Sequence, residues 1–298
     1  MKNKYPMYNF TANAIMLLVT IIIILPFLLL FISSITDEDS LILNGYSFIP
    51  DKLSIEAYAY IFRTGDLIIQ SYIMTILVTI IGTTASVILS ALFAYPLAIR
   101  ALPGRNIFTF LVFFTMLFNG GIVPSYIMWT NYIGVRDTIW GLVVPNLMMS
   151  AMSVLLIRSY FATSIPESLY EAAQIDGAGH MTVFWKIALP LGKPILVTMG
   201  TFATLAYWND WVNGLYYISR RTELYTIQNL LNRMVSDLQY LRQNADRLSA
   251  DAIAALSQVP STGVQMAIAF VAILPIVVIF PFLQKYYSKG ISLGAVKG

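Results

Sequence analysis

The sequence predicts an all-α fold, a polytopic transmembrane helical bundle of six spans. Three observations predict it. Apolar residues make up 58% of the 298 and charged residues 11%, where a soluble domain carries about 45–50% and about 25%. Six stretches hold the roughly 20 mostly apolar residues that a spanning helix needs. Basic residues gather on one side of those stretches, the bias that sets orientation in a membrane.

The first stretch, residues 11–31, follows Lys2 and Lys4 as a signal peptide would. Its apolar run exceeds the usual length of about 7–15 residues and no A-x-A site follows, so it reads as a retained helix. The others are residues 71–99, 107–129, 138–157, 194–207 extended at both ends, and 266–282. The third is interrupted by Asn119-Gly120-Gly121 and Pro124. It reads either as a broken helix or re-entrant turn shielded by protein, or as a helix that ends at the outer interface.

Orientation follows from the flanks. One face holds Lys2, Lys4, Arg100, Arg105, Arg158, Lys186, Lys193, Lys285, Lys289 and Lys297 against Glu167, Glu171 and Asp176. The loop on the other side, residues 33–70, holds Asp37, Glu38, Asp39, Asp51, Glu56 and Asp66 against Lys52 and Arg63. Both termini are therefore expected in the cytosol, and residues 208–265 form a long outer segment. The whole of 1–298 reads as one transmembrane domain.

Composition also excludes. Without cysteine there is no disulfide or thiolate metal site, and a single histidine, His180, makes no multi-histidine site. No span has Asp, Glu, Lys, Arg or His in its interior. Ion-coupled transporters keep such groups as relays, so energy for transport is expected from outside the bilayer. The polar groups left to face a cavity are neutral: Asn119, Asn146, Ser150, Ser153, Tyr207 and Asn209.

The cytosolic segment 163–190 is the most informative. Ser164 followed by Glu167 has capping-box spacing, and Pro166 suits a first helical turn. Asp176-Gly177 is a turn pair in which Gly177 takes the positive φ that ends a helix. A second helix then runs to Leu189-Pro190, where proline stops or kinks it. Leu169, Ala172 and Ala173 share a face at i, i+3 and i+4. Glu167 and Glu171 give that helix an anionic edge. On physics alone this reads equally well as an ordinary amphipathic interfacial helix.

The spacing Glu171-Ala172-Ala173, three residues, Gly177, nine residues, Ile187, one residue, Leu189-Pro190 resembles the EAA signature of bacterial ABC importer permeases. The chain is also similar to the maltose-permease-like, carbohydrate type, and within it to the polysaccharide-uptake branch of the LplC and YtcP kind. Residues 120–126 (Gly-Gly-Ile-Val-Pro-Ser-Tyr), Trp208-Asn209-Asp210-Trp211, the run 281–290 and Gly294-Ala295-Val296-Lys297-Gly298 carry that likeness. The resemblance implies a type I ABC importer permease fold with a core of about residues 67–290. It implies a coupling helix that docks on a separate ATPase through Leu169, Glu171, Ala172, Ala173, Gly177 and Ala178. The implied partners are a second, homologous permease, two ATP-binding-cassette ATPase subunits, an extracellular solute-binding protein and membrane lipid; no nucleic acid is involved. No cofactor is expected on this chain, with ATP and magnesium on the ATPase subunits. The implied cargo is a carbohydrate, an oligosaccharide from a complex polysaccharide.

The missing motifs agree. There is no G-x-x-x-x-G-K-[ST] to cradle ATP phosphates, since Gly192-Lys193 lacks the upstream glycine. G-x-S-x-G and H-E-x-x-H are absent too. Candidates for the sugar path are Asn119, Asn146, Tyr207, Trp208, Asn209 and Trp211, although aromatic belts form at every membrane interface. Three other classes make different demands on the sequence. A secondary transporter would need intramembrane ionisable groups or an inverted repeat. An enzyme would need a catalytic constellation, and a scaffold would not need the loop signature.

Overall fold

A computed structural model describes residues 6–63, 65–244 and 262–295. Among them there is no strand, only an isolated bridge between Thr36 and Leu53. Lys2, Lys4 and Lys297, residues 245–261 of the outer segment and the end of the tail motif lie outside the described residues.

In chain order, α1 is Pro6–Ser34, followed by the short α2 (Glu38–Asn44) and α3 (Glu56–Arg63) and the long α4 (Gly65–Ala98). Next come α5 (Arg105–Leu117), α6 (Ile122–Ile133), α7 (Trp140–Val143) and α8 (Ala151–Ser164). The segment 163–190 then forms α9 (Glu167–Ile175) and α10 (His180–Leu191), and α11 (Lys193–Trp208) follows. The remainder is α12 (Val212–Tyr217), α13 (Ile227–Asn244) and α14 (Thr262–Ala295).

Three helices are each long and apolar enough to cross a membrane alone: Phe10–Ser34, Gly65–Ala98 and Thr262–Ile279. Two bent pairs are together long and apolar enough to cross, each as a broken span or a re-entrant loop. α5 and α6 meet at 111° and α10 and α11 at 80°. The first bend falls within the interrupted third stretch. α5 stops at Leu117, and Gly121, at φ +87, starts a helix heading elsewhere. The expected span over 138–157 is corrected. It is a four-residue helix, a turn through Pro145 and Asn146, then the 14-residue α8. Proline cannot donate into a helix ladder, and Asn146 sits at φ +63, so the apolar run cannot stay helical there.

The chain packs as two compact units. The first comprises Met1–Ile68 and Leu231–Pro275. Its α1 has no buried residue in its most apolar window, as suits a helix solvated by lipid. Near the end of α1, the Phe31 ring packs tilted against Phe270 at 4.9 Å, and Ser34 shares a hydrogen bond with Tyr58 at 2.7 Å. Lys52 pairs with Asp37 at 2.9 Å. Next to this pair, Glu38 accepts hydrogen bonds from the Thr262 and Gly263 amides, both at 2.9 Å. That carboxylate caps the amide end of α14, where unpaired N–H groups and the helix dipole favour an anion. Glu38→Ala is therefore expected to cost about 1.5–3 kcal/mol, the range for hydrogen bonds to a charged group. It should appear as a lower melting temperature of the purified chain, with membrane insertion unchanged.

The second unit comprises Ile69–Leu230 and Ile276–Gly298. It has two apolar clusters on the same long α4. One gathers Tyr95, Val154, Ile157, Phe161 and Phe184; the other gathers Val78, Leu142, Val143, Tyr207 and Ile218. Val78 and Tyr95 stand about 25 Å apart along a helix that rises 1.5 Å per residue. Between them α4 shows small and hydroxylic residues to α11. Thr83 meets Thr204 at 3.3 Å, and a Cβ on Gly82 would collide with the Tyr207 ring. Small side chains let membrane helices approach this closely.

Candidate functional site

The loop after α8 is built by two local rules. The residue before a proline avoids helical geometry, so Ile165 is extended at φ −104°, ψ 116°, and α8 ends at Ser164. The expected capping box therefore does not form. Ser164 belongs to α8, and Pro166 is the N-cap of α9 without a side-chain cap. At the other end Gly177, at φ +78, closes α9 with a pair of bonds. Its own amide donates to Gln174 O at 3.0 Å and the Ala178 amide to Ala173 O at 2.9 Å. This is the Schellman arrangement that glycine favours. A Cβ on Gly177 meets nothing within 4 Å, so glycine is needed for backbone conformation alone.

Tyr170 pins the loop to the bundle. Its buried ring stands edge-on to Tyr95 at 6.0 Å, and Tyr95 also packs on Phe184 at 5.5 Å. One side chain of α4 thus touches both α9 and the start of the helix beyond the turn. Burial, and secondarily Tyr95, pushes the Tyr170 phenol up to about 12, so it stays neutral throughout physiological pH.

This anchoring fixes which face of α9 is offered outwards. Ala173 and Ala178, both expected at the docking face, are half-buried against the protein's own core. Ser168, Leu169, Ala172 and Ile175 are exposed, Ile175 at 85%. Glu171 is exposed too and lines a groove of about 180 Å³ with Arg100, Glu167 and Gln174. Arg100 reaches Glu167 at 3.6 Å across it.

The second glycine of the site is Gly192, whose place at a corner no sequence motif signals. It forms the 80° corner between α10 and α11. A Cβ there would collide with the Phe161 ring and lie 2.8 Å from Ala188 O. Phe161 is fully buried, so it cannot step aside.

The sugar-path candidates disperse at the opposite end of the unit. Tyr207 is 1% exposed and spends its hydroxyl on Val143 O at 2.8 Å. Trp208 is buried as well. Asn209 is exposed and donates to Leu205 O at 2.9 Å. Trp211 is 40% exposed. Asn146 is exposed in its turn, and Asn119 is exposed with its side-chain oxygen on the Gly121 amide at 2.9 Å. The residue that organises this end is Asn213, which no motif signalled. It is 1% exposed and donates to Pro145 O at 2.8 Å, so it holds the turn that carries Asn146.

Asp137 closes the same end. At φ +53 it accepts from the Ser219 and Arg220 amides at 2.7 and 2.9 Å. The Arg220 amide is the largest cause that holds the carboxyl down at about 2, below the ordinary 3.8, with burial opposing. A lowered carboxyl contributes stability above its unfolded pKa and loses it as pH falls through the folded one. Asp137→Asn is therefore expected to melt earlier at neutral pH. The gap from wild type should shrink as pH drops from about 4 towards about 2. Melting curves across that range test it.

The site is thus a short, exposed helix held to α4 through Tyr170 and Tyr95 and followed by the 80° corner between α10 and α11. The chain belongs to the family described as binding-protein-dependent transport system inner membrane component, whose model matches residues 86–293. It is 34% identical over 298 residues, the whole of both chains, to the polygalacturonan/rhamnogalacturonan transport system permease protein YtcP of Bacillus subtilis (strain 168). It is 34% identical to Protein LplC of the same organism over 277 residues, 93% of this chain and 90% of the other. A chain in the crystal structure of a bacterial ABC transporter involved in the import of the acidic polysaccharide alginate matches with a TM-score of 0.78 at 27% identity, covering 96% of this chain and 99% of that one. The chain is thus a membrane-resident permease subunit of an ABC importer, in a family of transport components rather than catalysts.

Proposed function

We propose that this permease imports an oligosaccharide derived from a complex polysaccharide, and that α9 is the helix through which a separate ATPase drives it. In this reading the two bent pairs each cross once, α7 and α8 on either side of the Pro145 turn make the sixth crossing, and both termini lie in the cytosol. The working assembly is this chain, a second permease, two ATPase subunits and an extracellular binding protein. The proposal rests chiefly on the exposed face of α9, with Leu169, Ala172 and Ile175 presented beside the anionic Glu171. The transport of polysaccharide-derived sugars by the relatives' systems supports the sugar class.

The geometry gives the coupling a physical route. Closure of the ATPase pair on ATP moves α9. Tyr170 passes that movement to Tyr95 on α4, and the Schellman turn passes it to α10. At Gly192 the corner converts displacement of α10 into tilt of α11. The tilt opens the cavity outward to receive sugar from the binding protein, and hydrolysis returns it. Asn119, Asn146, Asn209 and Trp211 are the exposed candidates for the sugar's route.

Reconstitution tests this reading. Proteoliposomes containing both permeases and the ATPase should accumulate an oligogalacturonide or an alginate oligosaccharide only with internal ATP and external binding protein. Uptake that needs neither would contradict it. Because the chain has no cysteine, orientation is tested in the same cells. Ser236→Cys should label from outside and Ser168→Cys should not; the reverse would overturn the topology.

A further inference from the structure

The end of the second unit that carries α9 holds two arginines without an acid. Arg105 opens α5, and Arg158 lies near the end of α8. α5 packs on α8, which brings the two within electrostatic reach of each other. Arg158 Nε donates to Leu97 O at 3.1 Å, which draws it across the end of α4. Arg105 Nε is buried and has no hydrogen-bond partner. Among the described residues no carboxylate lies within 4.0 Å of either, and the ion pair at this end joins Arg100 to Glu167 instead.

Two partly buried like charges repel, and a buried unpaired donor is costly. Neighbouring cations persist where an anion satisfies both. Guanidinium groups match the oxygens of a phosphate, which can accept from two of them at once. The surroundings specify the carrier. On α5, Phe108, one turn beyond Arg105, and Leu111 after it are exposed, an apolar surface suited to an acyl chain. Basic pockets between spanning helices at the membrane boundary bind lipid head groups.

We propose that Arg105 and Arg158 form a site for the phosphodiester of an anionic phospholipid, whose acyl chain lies along the exposed apolar surface of α5 that Phe108 and Leu111 begin. Its placement in the cytosolic leaflet rests on the orientation proposed above; the site itself does not. The lipid would tie together the ends of α4, α5 and α8, the last of which carries Phe161.

The test uses the purified importer in detergent, titrated with phosphatidylglycerol, phosphatidylcholine or inorganic phosphate and followed by native mass spectrometry. Phosphatidylglycerol should bind the wild type in preference to phosphatidylcholine. Each of Arg105→Gln and Arg158→Gln should weaken it about fivefold, the equivalent of one basic contact with an anionic lipid surface. The double lysine variant, which keeps charge but loses the planar fork, should bind at an intermediate level and guards against a folding artefact. Arg136→Gln, at the other end of the unit, should change nothing. Equal phosphatidylglycerol binding by wild type and the double glutamine variant would overturn the proposal. So would inorganic phosphate that binds as tightly as the lipid, or arginine loss that releases the ATPase subunits while lipid binding is unchanged. None of these readouts depends on the sugar, so failure here and failure of the transport reading are distinguishable.

Discussion

Gly192→Val is expected to reduce ATP-driven uptake to background while the chain still reaches the membrane. The corner at Gly192 has no room for a side chain, because the buried Phe161 ring occupies the place of the Cβ and Ala188 O closes it from behind. Overpacking of this kind typically costs about 1–3 kcal/mol. Here the strain is relieved most readily by changing the 80° angle between α10 and α11. A permease with the wrong angle holds its helices but loses the lever. Gly192→Ala should be milder, and Phe161→Leu should partly rescue it by withdrawing the ring. Gly179→Ala is the control, since nothing lies within 4 Å of its Cβ and uptake should be unchanged. Uptake and membrane content measured together check all four. Normal uptake by Gly192→Val would show that the corner transmits nothing.

Ala172→Trp is expected to have the second largest effect, the release of the ATPase from an otherwise intact permease. Ala172 is exposed on the outward face of α9, so an indole there meets no part of its own chain. A partner surface shaped to approach an alanine would be held off. Ala173→Trp is predicted to behave differently. Ala173 packs against the cluster of Tyr95, Phe161 and Phe184, and a large side chain there should lower the melting temperature as well as uptake. Glu171→Lys, on the exposed rim of the groove, should weaken docking without loss of stability. Co-purification of the ATPase beside thermal melting separates these outcomes. Full ATPase retention by Ala172→Trp would remove the outward face of α9 from the interface.

The class of fold was legible because lipid demands long apolar runs, and residues 11–31, 71–99 and 266–282 supply them without interruption. Gly177 was legible for a local reason: an Asp-Gly pair after an alanine-rich turn signals a helix end. Gly192 was not, because the ring that forbids a side chain there belongs to Phe161, far back in the chain. The break within 138–157 did have a signal, Pro145-Asn146 inside an apolar run, but the run's length outweighed it. The capping box failed because Pro166 forces Ile165 out of helical geometry and leaves Ser164 on the previous helix. Tyr207 resembled a sugar platform by residue type. Gly82 opens space that draws it into the core, and only tertiary packing reveals that. Asn213 had no signal at all, since its partners are the carbonyls of a distant turn.

The central claim is that the exposed face of α9 is where an ATPase engages this permease. A single cysteine at Ser168 tests it directly, in a chain that otherwise has none. Maleimide should react readily with Ser168→Cys in the isolated permease and slowly in the assembled importer. The modified chain should fail to support ATP hydrolysis stimulated by sugar-loaded binding protein. Equal labelling in both states, with stimulated hydrolysis unchanged after modification, would contradict the account.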